Sequence, residues 1–308
     1  MSAIAGVTSC EWALLVRQTN NTFIKRVTLN MSEEMYWQLF LKIIFLFFPF
    51  TVLGHELWID TTDFRVEKDT EIILNLRNGE NFQGFSLGYF DRSVEKLYWR
   101  QNGNHFDNTS RQGDIPALKI LPVENGLVSV VYVSTPSIIR YQKFKKFKNF
   151  AIAKHSQDAI ELHLNSGFPE ENFSEIYTRY SKALLGVGAA QGSDKVNDLE
   201  LELVALQNPY TDDISAGVEI LALYQGRPQT FTMLNVFERS NTDAYVNFFV
   251  VKTDEKGIAT IQVKNDNTYL IDNVILRPAN DELFKDKGVI WESLWAALTF
   301  GVNRADGL

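Results

Sequence analysis

From residue 55 onward the apolar residues come in short runs that are rich in β-branched and aromatic side chains, and turn residues separate these runs. Clear examples are residues 71–77, 94–99 and 126–133. Such runs are too short for most helices and have the composition of β-strands. Strands of this length with turns between them are typical of sheets packed face to face. The sequence therefore predicts a mainly β fold built from sandwich-like layers.

Two turn signals set where strands should end. Asn78-Gly79 follows the run at 71–77 and is predicted to close that strand. Residues 253–257 are predicted to form a hairpin loop that joins a strand at 248–251 to one at 258–263. Its Gly257 can take a positive φ at no steric cost.

The middle of the chain departs from the β pattern. Residues 141–163 carry apolar side chains at roughly helical intervals, which predicts helix. A lysine run within them fits a solvated helix face, with an anion-binding patch as the alternative reading of Lys143, Lys145, Lys146 and Lys148. Residues 173–185 repeat apolar side chains at i, i+3, i+4, i+7 and i+11, which predicts a further amphipathic helix.

These patterns predict two β-rich domains with a boundary in the glycine-rich loop that follows residue 185. The first covers residues 55–195 and carries the helical insert. The second covers residues 196–308 and has about seven strands, the count of an immunoglobulin-like sandwich.

An apolar run precedes the β pattern. Residues 43–53 are almost wholly apolar, Lys42 stands before them, and Val52-Leu53-Gly54 suits a signal-peptidase site. This is the layout of a cleaved secretory signal. A membrane anchor is the alternative, but a span needs about 20 apolar residues. We therefore predict that residues 1–54 are an extension with a signal peptide, and that a periplasmic mature protein, not embedded in a membrane, begins at His55.

Charge and cysteine content narrow the class of protein. The chain has 308 residues, is 45% hydrophobic and has a formal net charge of −8, which argues against a nucleic-acid partner. Residues 1–30 have no periodic pattern, so Met31 or Met35 is the expected initiator. The sole cysteine, Cys10, then lies outside the mature protein, whose core is expected to form without disulfides.

Several motifs together carry a resemblance to a known family. They are residues 55–59 (HELWI), 76–80 (LRNGE), 82–84 (FQG), 177–184 (YTRYSKAL), 204–210 (VALQNPY), 269–272 (YLID) and 291–300 (WESLWAALTF). The chain resembles a bacterial family of secreted proteins of uncharacterised function, described as a periplasmic component of cobalt or nickel uptake. The resemblance covers nearly all of the mature chain. It implies a divalent transition metal as the cargo and an inner-membrane transporter as a partner.

His55 is the leading candidate metal ligand. After cleavage it would offer an α-amine and an imidazole, which can close a chelate ring on one ion. The amine has a pKa of about 7.7 to 8.0, so a metal displaces its proton at modest cost near neutral pH. Nitrogen ligands of this kind suit Cu(II) and Ni(II), and cobalt follows from the resemblance.

The other histidines are weaker candidates. His155 and His163 would lie about 12 Å apart on a straight helix, so at most one of them could join His55. Each is more often a packed or surface residue than a ligand. His105 follows Asn102-Gly103 in a predicted exposed loop and ranks last. The predicted metal ligands are therefore His55, His163 and His155.

Enzyme signatures are missing from the sequence, which has no Gly-x-Ser-x-Gly, no glycine-rich phosphate loop and no His-Glu-x-x-His. Trp291 and Trp295 are predicted to pack in the core, with a carbohydrate-stacking platform as the alternative. The leading hypothesis is a metal-binding protein. The second is a non-catalytic sandwich that binds a glycan, a peptide or a cell-envelope partner. A copper oxidase with an N-terminal histidine brace is a third and minor one.

Overall fold

The alternation of apolar and polar residues produces strands throughout the part of the chain that the computed structural model describes, residues 55–240 and 245–302. In β3, for example, Ile72, Leu74 and Leu76 are buried whereas Ile73 is exposed, because successive side chains of a strand point to opposite faces. The predicted mainly β, sandwich-like fold is confirmed. The predicted signal peptide and Cys10 lie outside the described residues.

The strands within these residues, in chain order, are β1 (Glu56–Asp60), β2 (Arg65–Val66), β3 (Ile72–Glu80), β4 (Gln83–Leu87), β5 (Val94–Gln101), β6 (Asn104–Asp107), β7 (Leu118–Ile120), β8 (Gly126–Ser134), β9 (Ser137–Tyr141), β10 (Phe173–Val187), β11 (Leu201–Ala205), β12 (Val218–Tyr224), β13 (Arg227–Pro228), β14 (Met233–Ser240), β15 (Val246–Lys252), β16 (Ile258–Ile261), β17 (Asn267–Pro278) and β18 (Trp291–Val302). The α-helices are α1 (Phe144–Ala153), α2 (Gln157–Asn165) and α3 (Asp281–Lys287).

One large sheet and two small ones share a core. The large sheet has the order β15-β14-β17-β18-β10-β8-β5-β6, with β2 and β9 also paired to β10. One small sheet contains β1, β3, β4 and β7, and the other contains β11, β12, β13 and β16. Leu57, Leu184 and Leu201 come from the three different sheets and belong to one buried apolar cluster. The small sheets therefore pack as layers against the large one.

The large sheet crosses the boundary predicted at residue 195. Its central strands β10 and β18 are parallel neighbours, from Glu175 opposite Trp291 to Leu184 opposite Phe300. One strand comes from each predicted domain, so a division at residue 195 would break this pairing. The described residues, 55–240 and 245–302, belong to one compact unit.

The predicted helix at 173–185 is wrong, because these residues form most of strand β10. Its first third, from Phe173 to Tyr177, pairs with β9, and Glu175 to Leu184 pair with β18. From Tyr180 to Val187 every residue is buried, since this part of the strand has protein on both faces. A strand with protein on both faces does not show a strict two-residue alternation, so its apolar residues can fall at helical intervals. Helix in the middle region is confirmed only for α1 and α2.

Two turn predictions also need correction. β3 continues through Asn78-Gly79 and turns instead at Asn81 and Phe82, which both have positive φ. A Cβ on Gly79 would come within 2.0 Å of the Gln83 carbonyl oxygen, so this glycine serves close strand approach. The turn at 253–257 exists, with Gly257 at φ +77°. However, β15 pairs with β14 and β16 with β12, so the loop links two sheets and is not a hairpin.

A second apolar cluster lies beneath α1. Phe147 and Phe150 of that helix pack on Trp291 and Trp295 of β18, with ring centroids 5.0 and 5.4 Å apart respectively. The prediction that both tryptophans pack in the core is confirmed. Within the described residues, no helix has both the length and the apolar character needed to cross a membrane.

Candidate metal centre

The described chain begins at the edge of a small sheet, where His55 faces an acidic residue. Glu56 pairs with Gly79 in the antiparallel ladder, so the next residues outward, His55 and Glu80, lie across from each other. Nε2 of His55 is 3.4 Å from Oε1 of Glu80. The His55 side chain is 41% exposed, which leaves the imidazole accessible from solvent. This pairing puts a nitrogen ligand and an oxygen ligand side by side.

Glu80 also lines a pocket of about 150 Å³. Its walls combine acidic, amide and aromatic side chains, namely Glu56, Glu80, Asn81, Phe150, Ala153, Lys154, Asn235, Phe237 and Phe248. Two carboxylate oxygens here, Oε1 of Glu80 and Oε2 of Glu56, are buried without a hydrogen bond within the described structure. A buried oxygen without a donor is unfavourable, and a cation would satisfy it.

A buried charge cluster forms part of the pocket wall. Nζ of Lys154 lies 2.7 Å from both Oε1 of Glu56 and Oδ2 of Asp272, and all three side chains are buried. Burial alone would lower the pKa of Lys154, but the carboxylates of Asp272 and Glu56 raise it. Burial raises the pKa of Glu56. The ammonium of Lys154 contacts Oε1 of Glu56, and Oε2 of Glu56 has no hydrogen bond within the described structure.

His155 lies close to the same pocket. It follows α1 with a φ of +58°, and its Nε2 is 2.8 Å from Oδ1 of Asn235, one of the pocket residues. The helix predicted to carry His155 and His163 together is interrupted here, because α1 ends at Ala153 and α2 begins at Gln157. The assumption of a straight helix for these two histidines is therefore wrong.

His163 lies in the apolar cluster under α1 and both of its ring nitrogens have protein partners. Nε1 of Trp291 donates to Nδ1 of His163 at 2.9 Å, and Nε2 lies 3.1 Å from the carbonyl oxygen of Pro169. Burial lowers the pKa of this histidine. The structure thus gives His163 a packing role and does not bring it to His55.

His105 lies on strand β6 rather than in a loop. Its ring stacks on Tyr98 with centroids 4.5 Å apart, and Nε2 is 3.1 Å from Oδ1 of Asp107. β6 is at the edge of the large sheet, and β1 belongs to a different sheet. His105 therefore serves as a control residue for the site at His55.

Within the part of the chain that the structure describes, no three or more His, Cys, Asp or Glu side chains are grouped so that they could hold a metal ion. The pair of His55 and Glu80 would need a further ligand, and the α-amine that the predicted cleavage would create at His55 is one that does not come from a side chain. Sequence reasoning missed Glu80, Lys154 and Asn235. The register of β1 with β3 is what brings Glu80 to His55, and a sequence pattern does not give that register.

Comparison with known proteins adds the family but no activity. No curated protein matches the chain. A family model described as a domain of unknown function, DUF4198, matches residues 52–275, which include His55, Glu80, Lys154, His155 and Asn235. That match covers well over half of the chain, and this protein therefore belongs to the DUF4198 family.

Proposed function

We propose that the mature protein is a periplasmic transition-metal-binding protein that captures or delivers nickel, cobalt or copper, with His55 as its anchor. The observation that carries this proposal is the placement of Nε2 of His55 3.4 Å from Oε1 of Glu80, an oxygen without a hydrogen bond. The description of similar bacterial proteins as components of cobalt or nickel uptake agrees with it. An inner-membrane transporter is the partner that this role requires.

The donor set has a clear chemical preference. A processed His55 supplies two nitrogens, the α-amine and the imidazole, and Glu80 supplies an anionic oxygen. Two nitrogens and one oxygen favour Cu(II) and Ni(II) over Mg²⁺ or Ca²⁺, which prefer all-oxygen sites. The free oxygen of Glu56 is a further donor next to the same pocket.

The charge of the wall supports binding of a cation. Glu56, Glu80 and Asp272 bring three carboxylates to this region, and Lys154 supplies one ammonium in contact with two of them. Arg179 is a second cation, close enough to Asp272 and Glu56 for both carboxylates to raise its pKa. One negative charge therefore remains in this region, and it attracts a divalent ion. Because Lys154 is anchored on both sides, it also holds Glu56 in place beneath the pocket.

We expect His55→Ala to weaken metal binding at least tenfold, because the variant keeps the α-amine of residue 55 but loses the imidazole, and with it the chelate ring. Tenfold corresponds to about 1.4 kcal/mol. Glu80→Gln should weaken binding in the same direction, since an amide oxygen is a poorer ligand than a carboxylate. Calorimetric titration with Ni(II), Co(II) and Cu(II) at pH 7.5, on protein whose first residue is His55, measures these affinities.

His105→Ala is the matched control, because it removes an imidazole of similar exposure that is 45% accessible on another sheet. It should bind metal as the unmodified protein does. Equal loss in His55→Ala and His105→Ala would contradict the assignment. If no form binds any of the three metals, the alternative of a non-catalytic sandwich that binds a glycan, peptide or envelope partner is favoured.

A further inference from the structure

The first turns of α1 form a basic patch on an otherwise acidic protein. We define the basic patch as Lys143, Lys145, Lys146 and Lys148. Lys143 is paired with Glu171 at 3.1 Å, and within the described residues the other three lysines have no ion pair. Glu170 and Glu171 are the acidic side chains that line the groove beside the patch. The local charge is therefore positive, whereas the whole chain has a formal charge of −8.

These lysines do not stabilise the helix that carries them. The first turn of α1 contains no acidic residue, and its N-cap, Lys143, makes no side-chain capping hydrogen bond. Positive charges in the first turn of a helix oppose the helix dipole and are unfavourable. Lysines that cost stability in this position need another explanation, and a negatively charged partner gives one.

The exposed face of α1 combines charge with an aliphatic side chain. Lys145, Lys148 and Ile152 stand at i, i+3 and i+7, so they share one face of the helix. Ile152 is 45% exposed. The opposite face, with Phe147 and Phe150, is buried against the tryptophans of β18. The helix is thus fixed to the protein by its aromatic face and presents ammonium groups and an aliphatic group outward.

We propose that this face of α1 docks the protein on an anionic phospholipid surface. Lysine is a hydrated point charge without the fork geometry that arginine uses to recognise individual carboxylates, and clustered lysines suit a diffuse negative surface. The exposed side chain of Ile152 adds a small apolar contact beside the lysines. The proposal is independent of metal binding, because the basic patch lies outside the site at His55.

Replacing the three unpaired lysines together should remove most of the attraction. Each lysine near an anionic membrane changes affinity by about fivefold, so Lys145→Gln, Lys146→Gln and Lys148→Gln combined should weaken binding by about a hundredfold. The probe is vesicles of equal parts phosphatidylglycerol and phosphatidylcholine, in a sedimentation assay on protein beginning at His55. Vesicles of pure phosphatidylcholine should bind neither form.

The matched control is the combined change Lys256→Gln, Lys285→Gln and Lys287→Gln, which alters net charge equally at exposed positions elsewhere. This control should retain binding. In urea unfolding, the basic-patch variant should be at least as stable as the unmodified protein, whereas the control should be slightly less stable, because Lys285 and Lys287 lie in the last turn of α3, where positive charge is favourable. Equal losses in the two variants, or no binding of the unmodified protein to the anionic vesicles, would overturn the proposal. Binding to an acidic polypeptide with no binding to vesicles would also overturn it, in favour of a protein partner.

Discussion

Lys182→Met is expected to lower the free energy of unfolding by about 3 to 5 kcal/mol, the cost of breaking a buried ion pair by removing one partner. Nζ of Lys182 is 2.7 Å from Oδ2 of Asp194 and 3.3 Å from Oε1 of Glu202, and all three side chains are buried. Methionine matches the length of lysine but leaves two carboxylates without a counter-ion. Urea unfolding of the variant and the unmodified protein measures the difference.

The effect should be large because these carboxylates also organise the connection between sheets. Asp194 accepts from the backbone N–H of Ala205 at 3.0 Å, and Glu202 accepts from the N–H and the side-chain amide of Asn197. Burial raises the pKa of Asp194, and Lys182 opposes that change. Without the ammonium, the carboxylates of Asp194 and Glu202 would need to be hydrated or protonated, and hydration would require the loop between β10 and β11 to open.

Lys264→Met is the control for this prediction. Lys264 also contacts a carboxylate, at 3.0 Å from Oε1 of Glu238, but its side chain is 71% exposed. The carboxylate of Glu238 is buried, but without the lysine it keeps hydrogen bonds from Asn247, Asn267 and Tyr269. An ion pair whose lysine is solvated contributes about 0 to 1 kcal/mol, so this variant should unfold almost as the unmodified protein does. A loss below about 1 kcal/mol for Lys182→Met would show that the cluster is not buried as described.

We expect Glu175 to make the free energy of unfolding depend on pH between 4.5 and about 7. Its neutral donors are Tyr141, at 2.8 Å, and the Ser293 hydroxyl. Burial raises the pKa of Glu175 from 4.5 to about 7, and the hydrogen bonds from Ser293 and Tyr141 oppose the rise. At about 1.4 kcal/mol for each pH unit between the two values, the folded state favours the protonated form by roughly 3 kcal/mol.

The sign of this pH dependence follows from the linkage between protonation and folding. A carboxyl whose pKa is raised by folding contributes stability that is fully present below pH 4.5 and is lost as pH rises through about 7. Glu175→Gln mimics the protonated form and removes this dependence. As pH rises from 4.5 to 8, the unmodified protein should therefore lose roughly 3 kcal/mol of unfolding free energy that the variant keeps.

The measurement is urea unfolding at several pH values, with Glu161→Gln on the exposed face of α2 as the control. The control should follow the unmodified protein throughout, because an exposed carboxyl is solvated in both states. Parallel profiles for Glu175→Gln and the unmodified protein would mean that Glu175 is not confined among neutral donors.

Sequence periodicity predicted the β class and the short helices but failed where tertiary pairing decides the structure. Strand β10 shows this failure in two ways, because its first half has aromatic residues at helical spacing and its second half is buried on both faces, polar Ser181 and Lys182 included. The pairing with β18, more than a hundred residues away, makes it a strand. In contrast, α3 has local signals, since Asn280 caps Leu283 and Gly288 takes the left-handed conformation after the last turn. Both residues are visible in the sequence and predict the two ends of this helix.

The candidate site was predictable only in part. His55 could be chosen from the sequence because a predicted signal-peptidase site precedes it. Glu80 becomes its neighbour through the register of β1 with β3, and Asn78-Gly79 suggested that β3 stopped before reaching it. His163 could not be separated from His155 by spacing alone, because the break after Ala153 turns one helix into two.

The central claim, that the processed amino terminus of His55 is part of a metal site, has a direct test. Protein that begins at His55 is compared with protein that carries a few extra residues before it. The extension converts the α-amine into an amide, which has no basic lone pair, and so leaves the imidazole as the one nitrogen ligand of that residue. Every side chain of the mature protein is the same in both forms.

Calorimetric titration of the two forms with Cu(II) and Ni(II) at pH 7.5 gives the answer. The account predicts that the form beginning at His55 binds at least tenfold more tightly, a difference of about 1.4 kcal/mol. Equal affinities for the two forms would contradict it.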